Sequence, residues 1–197
     1  MSQNVQLHRG RPRSEEVHQA ILKVALDQVS KIGFRALSIE SIAEAARVGK
    51  TTIYRRWPNK AAVVMDAFLV HVSPRAVFPT MPRAVDSIRS QLHAQAKLFR
   101  SKTGKLISSL LGEAQFDSEL KKAFRERWIL PRRQLARETI EKAIEQGDLR
   151  KDISIETMID MLYGPFYYRL QLETDPMPDA YADDIFNSIM NGNAQLK

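Results

Sequence analysis

The chain has 197 residues, 44% hydrophobic and 27% charged, which gives it the material for a real core and excludes a disordered or fibrous protein. It has no cysteine, so disulfides, thiolate metal sites and cysteine nucleophiles are excluded, and no apolar run reaches the roughly 18 residues that span a bilayer. The basic N-terminus lacks the apolar stretch of a secretion signal, so a cytoplasmic location is expected. The net charge of +7 is unevenly spread: residues 1–60 carry 11 Lys+Arg against 5 Asp+Glu, while the remainder nearly balances. A basic lobe on a near-neutral body is the pattern of a surface that meets a polyanion, most often nucleic acid.

Glycine and proline are few, 8 and 9 residues, and β-branched alternation is scarce, so the fold class is all-α with about nine helices. Residues 1–13 show no apolar periodicity and read as a flexible basic arm ending in Arg9-Gly10-Arg11-Pro12-Arg13. Ser14 starts a first helix with Val17, Ile21, Leu22, Ala25, Leu26 and Val29 at helical spacing, and Gly33 stops it. Ser38 caps a short second helix through Ala46, with Ile39, Ile42 and Ala43 facing inward. A third short helix runs from Lys50 to about Arg56 and ends at Trp57-Pro58, and Asn59 caps a fourth beginning near Lys60.

The stretch from Ser73 to Pro82 contains three prolines and reads as a linker. Further helical patterns cover residues 83–101, 104–115, 118–146, 154–173 and 179–190. Pro131 inside the third of these implies a kink or two abutting helices, and Gly147 supplies a C-terminal stop. The domain reading is an arm at 1–13, a DNA-binding unit at 14–60 and a ligand-binding and dimerisation unit at 61–197.

Two short helices joined by a three-residue turn, with Ala43 at the crossing and Ile53 locking the second helix down, have helix-turn-helix geometry. The second helix presents Lys50, Thr51, Thr52, Tyr54, Arg55 and Arg56, a polar and cationic set suited to base edges and phosphates. A surface helix of an ordinary bundle would show the same periodicity; the charge asymmetry and the basic arm favour DNA. Gly49-Lys50-Thr51 imitates the end of a phosphate-binding loop, but Glu44 stands where that loop needs glycine. Neither the histidines nor the serines form a metal or hydrolase pattern, so no catalytic site and no cofactor is expected.

The run from Gly33-Phe34 through Ser38 and Ile42-Ala43 to Gly49-Lys50-Thr51-Thr52-Ile53-Tyr54-Arg55-Arg56-Trp57-Pro58-Asn59-Lys60 resembles the DNA-binding domain of TetR-type transcriptional regulators. The resemblance covers residues 14–68; Gly164-Pro165-Phe166-Tyr167-Tyr168-Arg169 is similar to a segment of the ligand-binding domain of some members. It implies a homodimeric repressor on a pseudo-palindromic operator, released by a small molecule. It also implies phosphate contacts from Tyr54 and Lys60, base contacts from Lys50, Thr51 and Thr52, and further DNA contacts from Ser38 and Arg55. Members usually carry glycine where Arg47 stands, so either the turn differs or Arg47 bears a left-handed conformation while gaining a DNA contact. The arm resembles an AT-hook core, with Arg9, Arg11 and Arg13 answering the negative potential of a narrow minor groove; the alternative is a solvated tail.

The helix at 154–173 is apolar on two faces, with Ile155, Ile159, Leu162, Phe166 and Leu170 on one and Met161, Tyr168 and Leu172 on the other. The second stripe, with Ile185, Phe186 and Ile189 of the last helix, is expected to form a four-helix dimer interface. Phe99, Leu106, Leu110, Phe116, Phe124, Trp128, Met158, Leu162 and Phe166 are expected to line a ligand cavity, with Arg169 orienting one acidic group of a mainly hydrophobic ligand. Two rival functions remain: an architectural protein preferring A·T-rich DNA without ligand control, and a small helical nucleotide-dependent enzyme.

Overall fold

The computed structural model describes residues 11–75 and 78–193, and all regular structure among them is helical. The chain divides into two compact units between Phe68 and Leu69. In the first unit α1 (Arg11–Ala36) begins three residues earlier than the apolar period indicates, with Pro12 in the first turn, where a missing N–H costs nothing. The arm is correspondingly shorter; Arg9 lies outside the described residues, as do the side chains of Arg11 and Arg13. Gly33 breaks the helix at φ +78°, the left-handed turn its lack of Cβ permits, before Phe34–Ala36 resume. Ile21, Leu22, Ala25 and Val29 of α1 are buried, at the i, i+3, i+4 spacing of one helical face.

α2 (Ile39–Ala45) and α3 (Lys50–Tyr54) follow, and α4 (Lys60–Val72) carries the chain across the division. Asn59 Oδ1 accepts the Ala62 N–H at 2.9 Å, the expected cap. The linker proves to open with a 3-10 turn at Ser73–Arg75.

In the second unit α5 (Ala84–Phe99) is the central helix, contacting α6 (Lys102–Glu113), α8 (Leu130–Glu145), α9 (Ile155–Leu172) and α10 (Asp179–Asn193). Its N-cap, Arg83, offers no side-chain bond. The orphan amide of Ala84 is instead taken by Gln146 Oε1 at 2.8 Å, while the same side chain donates to Pro82 C=O at 3.0 Å. Gln146 sits at the end of α8, where Gly147 closes a Schellman motif: Asp148 N–H reaches Ala143 C=O and Gly147 N–H reaches Ile144 C=O, both at 3.0 Å. Ser101 caps α6, which starts at Lys102 rather than at 104, and Asp117 caps α7 (Ser118–Phe124).

Pro131 does not kink one long helix. Between α7 and α8 lies a π-helical turn, Arg125–Ile129, in which the Leu130 N–H bonds to Arg125 C=O, five residues back. A proline removes a donor and pushes on the preceding turn, and widening that turn by one residue accommodates both. Taking α7, the π turn and α8 as one element, the described residues hold nine helical segments. Tyr181 of α10 packs edge-on against Phe166 of α9 at 5.5 Å.

Gly104 is a position where only glycine fits: a Cβ there would stand 2.0 Å from Phe99 C=O. Gly112, on the same helix, has open space. Gly104→Ala should therefore cost about 2–3 kcal/mol by forcing α5 and α6 apart, whereas Gly112→Ala should gain roughly 0.5–1 kcal/mol of helix propensity; urea unfolding of the two variants checks the contrast in sign.

Candidate DNA interface and C-terminal cavity

In the first unit the helix pair is positioned from behind. Ser38 Oγ accepts the Ser41 N–H at 3.0 Å and Ser41 Oγ accepts the Ser38 N–H at 3.3 Å, a reciprocal capping box. Gln28 of α1 grips the same turn, accepting from Ser41 Oγ at 2.9 Å and donating to its carbonyl at 3.1 Å. Ser38 is thus occupied as a cap. The α2–α3 turn keeps the left-handed conformation: Arg47 has φ +54°, with Val48 N–H bonded to Ala43 C=O at 2.9 Å and Arg47 N–H to Glu44 C=O at 3.1 Å. A Schellman motif with arginine in the glycine position stores about 1 kcal/mol of strain.

α3 is anchored by its apolar side. Ile53 is fully buried, and Trp57, 3% exposed, donates its indole N–H to Asp66 of α4 and stacks on His18 of α1 at 4.9 Å. Arg56, half-buried, turns back to α1, donating to Ser14 Oγ at 2.7 Å and Ser14 C=O at 3.0 Å. With these inward, Arg47, Lys50, Thr51, Tyr54 and Arg55 project into solvent; Thr52 is half-buried. Lys50 Nζ lies 3.2 Å from Glu40 of α2. A backbone hydrogen bond at Glu40 and this ammonium hold its carboxyl below the usual carboxylate range. Lys60 is already engaged: its ammonium donates to Phe34 C=O and Leu37 C=O, both at 2.8 Å, and sits 4.3 Å over the Phe34 ring. It closes the end of α1 onto the start of α4, a role that the sequence pattern does not reveal.

The second unit contains a cavity of about 190 Å³ lined chiefly by α8 and α9, with Phe78 and with Gln95 of α5. None of the expected lining residues borders it, though Phe99 and Arg169 line a more open cleft of about 380 Å³ in the same unit. Phe99, Leu106, Leu110, Phe124, Trp128, Met158, Leu162 and Phe166 are buried packing residues, and Phe116 is 83% exposed. The cavity faces Ile159, Tyr163 and Tyr167, one residue on from Met158, Leu162 and Phe166, a rotation of about 100° around α9. Arg169 is also committed elsewhere: it stacks 3.5 Å over Tyr181 and donates to Pro176 C=O at 2.6 Å, fastening the α9–α10 connection.

Two cations line the cavity, Arg133 and the more deeply buried Arg132. Its guanidinium lies 4.5 Å from the Trp128 ring centre and 4.8 Å from that of Phe78, and it donates to Gln95 Oε1 at 2.9 Å. Burial among these groups lowers its affinity for its proton and raises the Tyr163 and Tyr167 hydroxyls above the usual phenol range. Tyr163 donates to Gln91 Oε1 at 2.8 Å, and Tyr167 accepts the Trp128 indole N–H at 3.3 Å. The neighbouring Arg133 pairs with Glu156 and Asp160, and Arg137 with Glu156.

On the exposed side of α9, Met161, Tyr168 and Leu172 are 43%, 59% and 59% exposed. Ile185 and Ile189, expected beside them, are instead buried, on the helix that packs against α5, and Phe186 is half-buried with Arg89 near its ring. The apolar period of α10 therefore serves the chain's own core.

A short helix locked down by an isoleucine and a tryptophan, behind a capped partner and a tight turn, with its polar side outward, defines a helix-turn-helix DNA-binding protein. The sequence model of bacterial regulatory proteins of the tetR family matches residues 21–67, and that of tetracyclin repressor-like C-terminal domains matches 84–189. The HTH-type transcriptional regulator YdeS of Bacillus subtilis (strain 168) is 40% identical over 188 residues, 95% of each chain. The DNA-binding transcriptional repressor TetR of Mycobacteroides abscessus is 27% identical over 182 residues, 90% of this chain and 94% of that one. Among solved structures, the TetR family transcription regulator SCO0332 superposes with a TM-score of 0.74 at 30% identity, over 90% of this chain and 98% of that one. FadR from Bacillus subtilis, in complex with stearoyl-CoA, shares the fold at a TM-score of 0.69 and 14% identity, over 89% of this chain and 98% of that one. The chain belongs to the tetR family of bacterial regulatory proteins, which are transcriptional regulators and not enzymes.

Two substitutions separate the roles of the two lysines. Lys60→Ala removes a charged donor from two carbonyls and should lower the stability of the first unit by about 2 kcal/mol. Lys50→Ala breaks only an exposed pair and should leave stability within about 0.5 kcal/mol of the parent. Thermal unfolding of both variants without DNA measures this; equal losses would contradict it.

Proposed function

We propose that the chain is a homodimeric repressor that reads a pseudo-palindromic operator through α3 and is released by a small, mainly hydrophobic molecule held in its C-terminal unit. The observation that carries this reading is the outward face of α3: Lys50, Thr51, Tyr54 and Arg55 stand together beside Arg47 on a helix whose other side is fixed by Ile53. Lys50 and Thr51 are placed for base edges, with Thr52 beside them; Arg47, Tyr54 and Arg55 are placed for phosphates. Ser38 and Lys60 act as the frame, Lys60 with its third ammonium proton and the start of α4 toward the backbone of the DNA. Arg9, ahead of α1, and Arg11 and Arg13 in its first turn extend the contact toward the minor groove. Repression is supported by the relative from Mycobacteroides abscessus, whose name gives that activity, and dimerisation by the exposed stripe of Met161, Tyr168 and Leu172. The chain acts in the cytoplasm, where the DNA is.

Release requires the effector to bind the DNA-free form better, by the same factor by which it weakens operator binding. An architectural protein would instead bind any A·T-rich duplex alike. Binding-site selection with the purified protein distinguishes the two: one enriched palindrome is expected, and an enrichment of A·T content without a motif would overturn the reading. On the selected site, Lys50→Ala should relax base preference, by roughly 1–3 kcal/mol of discrimination at the base pair it contacts.

The exposed stripe of α9 gives a separate expectation. Tyr168→Glu or Leu172→Glu places a charge in an apolar interface and should yield monomers with sharply weaker operator binding. Light scattering at micromolar concentration tests it, and a parent protein that is itself monomeric there would refute the dimer.

A further inference from the structure

Gln95 is 2% exposed and borders the cavity, and its two amide atoms fare differently. The carbonyl Oε1 is fixed by Arg132, a group with donors only, which leaves no freedom to exchange the amide ends. The other end, Nε2, is buried without a hydrogen-bond partner. Buried amide donors nearly always find an acceptor, because leaving one unmade forfeits its hydration for nothing in return. Gln95 lines an open space whose wall also carries Arg132 and Tyr167. Three donor-bearing groups thus meet around one void.

We propose that this cavity binds a small aromatic monocarboxylate, whose carboxylate takes the Gln95 amide and the Arg132 guanidinium while its ring fills the apolar part between Ile129, Ala136, Ile159 and Tyr163. The proposal rests on the reading of the C-terminal unit as the effector-binding part and names the effector's chemical class.

Size and charge narrow the choice. An apolar cavity of roughly 150 Å³ takes up benzene; at about 190 Å³ this one has room for a ring and one small group, not for a long acyl chain. The nearby carboxylates, Glu156 and Asp160, are already matched by Arg133 and Arg137, so a guest anion meets a balanced network beside it. Arg132 lies against two aromatic faces, where a planar guanidinium stays oriented and can present parallel N–H groups to a carboxylate. A single charge is indicated, since Arg133, the other guanidinium on the cavity wall, is held by Glu156 and Asp160. Phe78 and Tyr163 add ring edges for an aromatic guest.

Isothermal titration calorimetry of the full chain without DNA, with benzoate and with benzamide as probes, tests this. The two share a ring and differ in charge. Benzoate should bind at least tenfold more tightly than benzamide. Arg132→Met should remove that preference, and Gln95→Leu, which deletes the unmatched donor together with the acceptor of Arg132, should weaken benzoate by about tenfold. If Arg132→Met does not fold, Arg132→Lys keeps the charge without the fork and should give an intermediate preference. Equal binding of the two probes, or no binding of either by the folded parent at millimolar concentration, would overturn the proposal.

A gel-shift titration on the selected operator keeps the two readings apart. Benzoate binding in the cavity with no effect on the DNA complex would leave the ligand assignment standing and remove ligand-driven release. Release by benzoate that survives Arg132→Met and Gln95→Leu would uphold release and overturn the cavity assignment.

Discussion

A helix of five residues cannot hold its own shape in water. Nucleation fixes several dihedrals before any hydrogen bond compensates, and isolated helices below about 12 residues are marginal even with ideal composition. α3 is such a helix, and it has no side-chain N-cap. Its form and aim are therefore imposed from outside, by the burial of Ile53 and Trp57 and by the turn that feeds it. Everything else in the first unit serves that imposition. Trp57 is pinned by Asp66 and faced by His18, Arg56 is tied to Ser14, and α2 is gripped by Gln28 and closed by the Ser38–Ser41 box. The residues left outside are polar because no packing remains for them to do, which is why the outward set is free to be chosen for recognition.

The second unit meets the opposite difficulty. α5 contacts four other helices yet carries Ser87, Gln91 and Gln95 in its buried surface. A buried polar side chain is costly unless answered, and each of these accepts a hydrogen bond: Ser87 from the Met81 N–H, Gln91 from Tyr163, and Gln95 from Arg132. Such a row of polar groups through a core specifies which helices lie beside which, since a shifted neighbour would strand them. The same row leads to the Gln95 amide nitrogen, which finds no partner among the described residues.

Much of this was legible in the sequence. Apolar period and turn residues locate the helices, and Ser38, Asn59 and Gly147 mark their ends, because caps are local chemistry written in consecutive residues. Lys50, Thr51, Tyr54 and Arg55 of the outward set of α3 were legible too, since neighbours in sequence are neighbours in space there, but Arg56, expected with them, is turned back onto Ser14. The cavity was not. Its lining depends on the phase of α9 relative to α8, and Met158, Leu162 and Phe166 carry the same apolar signal as Ile159, Tyr163 and Tyr167; only packing decides which row faces the void. Ile185 and Ile189 went to the core for the same reason. The clamp made by Lys60 was not legible, because its acceptors are backbone carbonyls of Phe34 and Leu37, which no side-chain pattern announces.

The π turn at Arg125–Ile129 has a bearing on length. A turn that spends one residue more than an α-helical turn is equivalent to a single-residue insertion in a helix that would otherwise run on regularly. The insertion rotates all of α8 by about 100° about its axis relative to α7. Two faces are thereby decoupled: α7 buries Leu120 and Phe124, while α8 independently turns Ala136, Ile140 and Ala143 inward and brings Arg132 beside Gln95. Loss of one residue between Arg125 and Trp128 would restore an even helix and carry Arg132 off the cavity while every residue that lines it kept its identity. In this chain the length of the stretch thus sets which side of α8 faces the cavity, separately from the identity of the side chains.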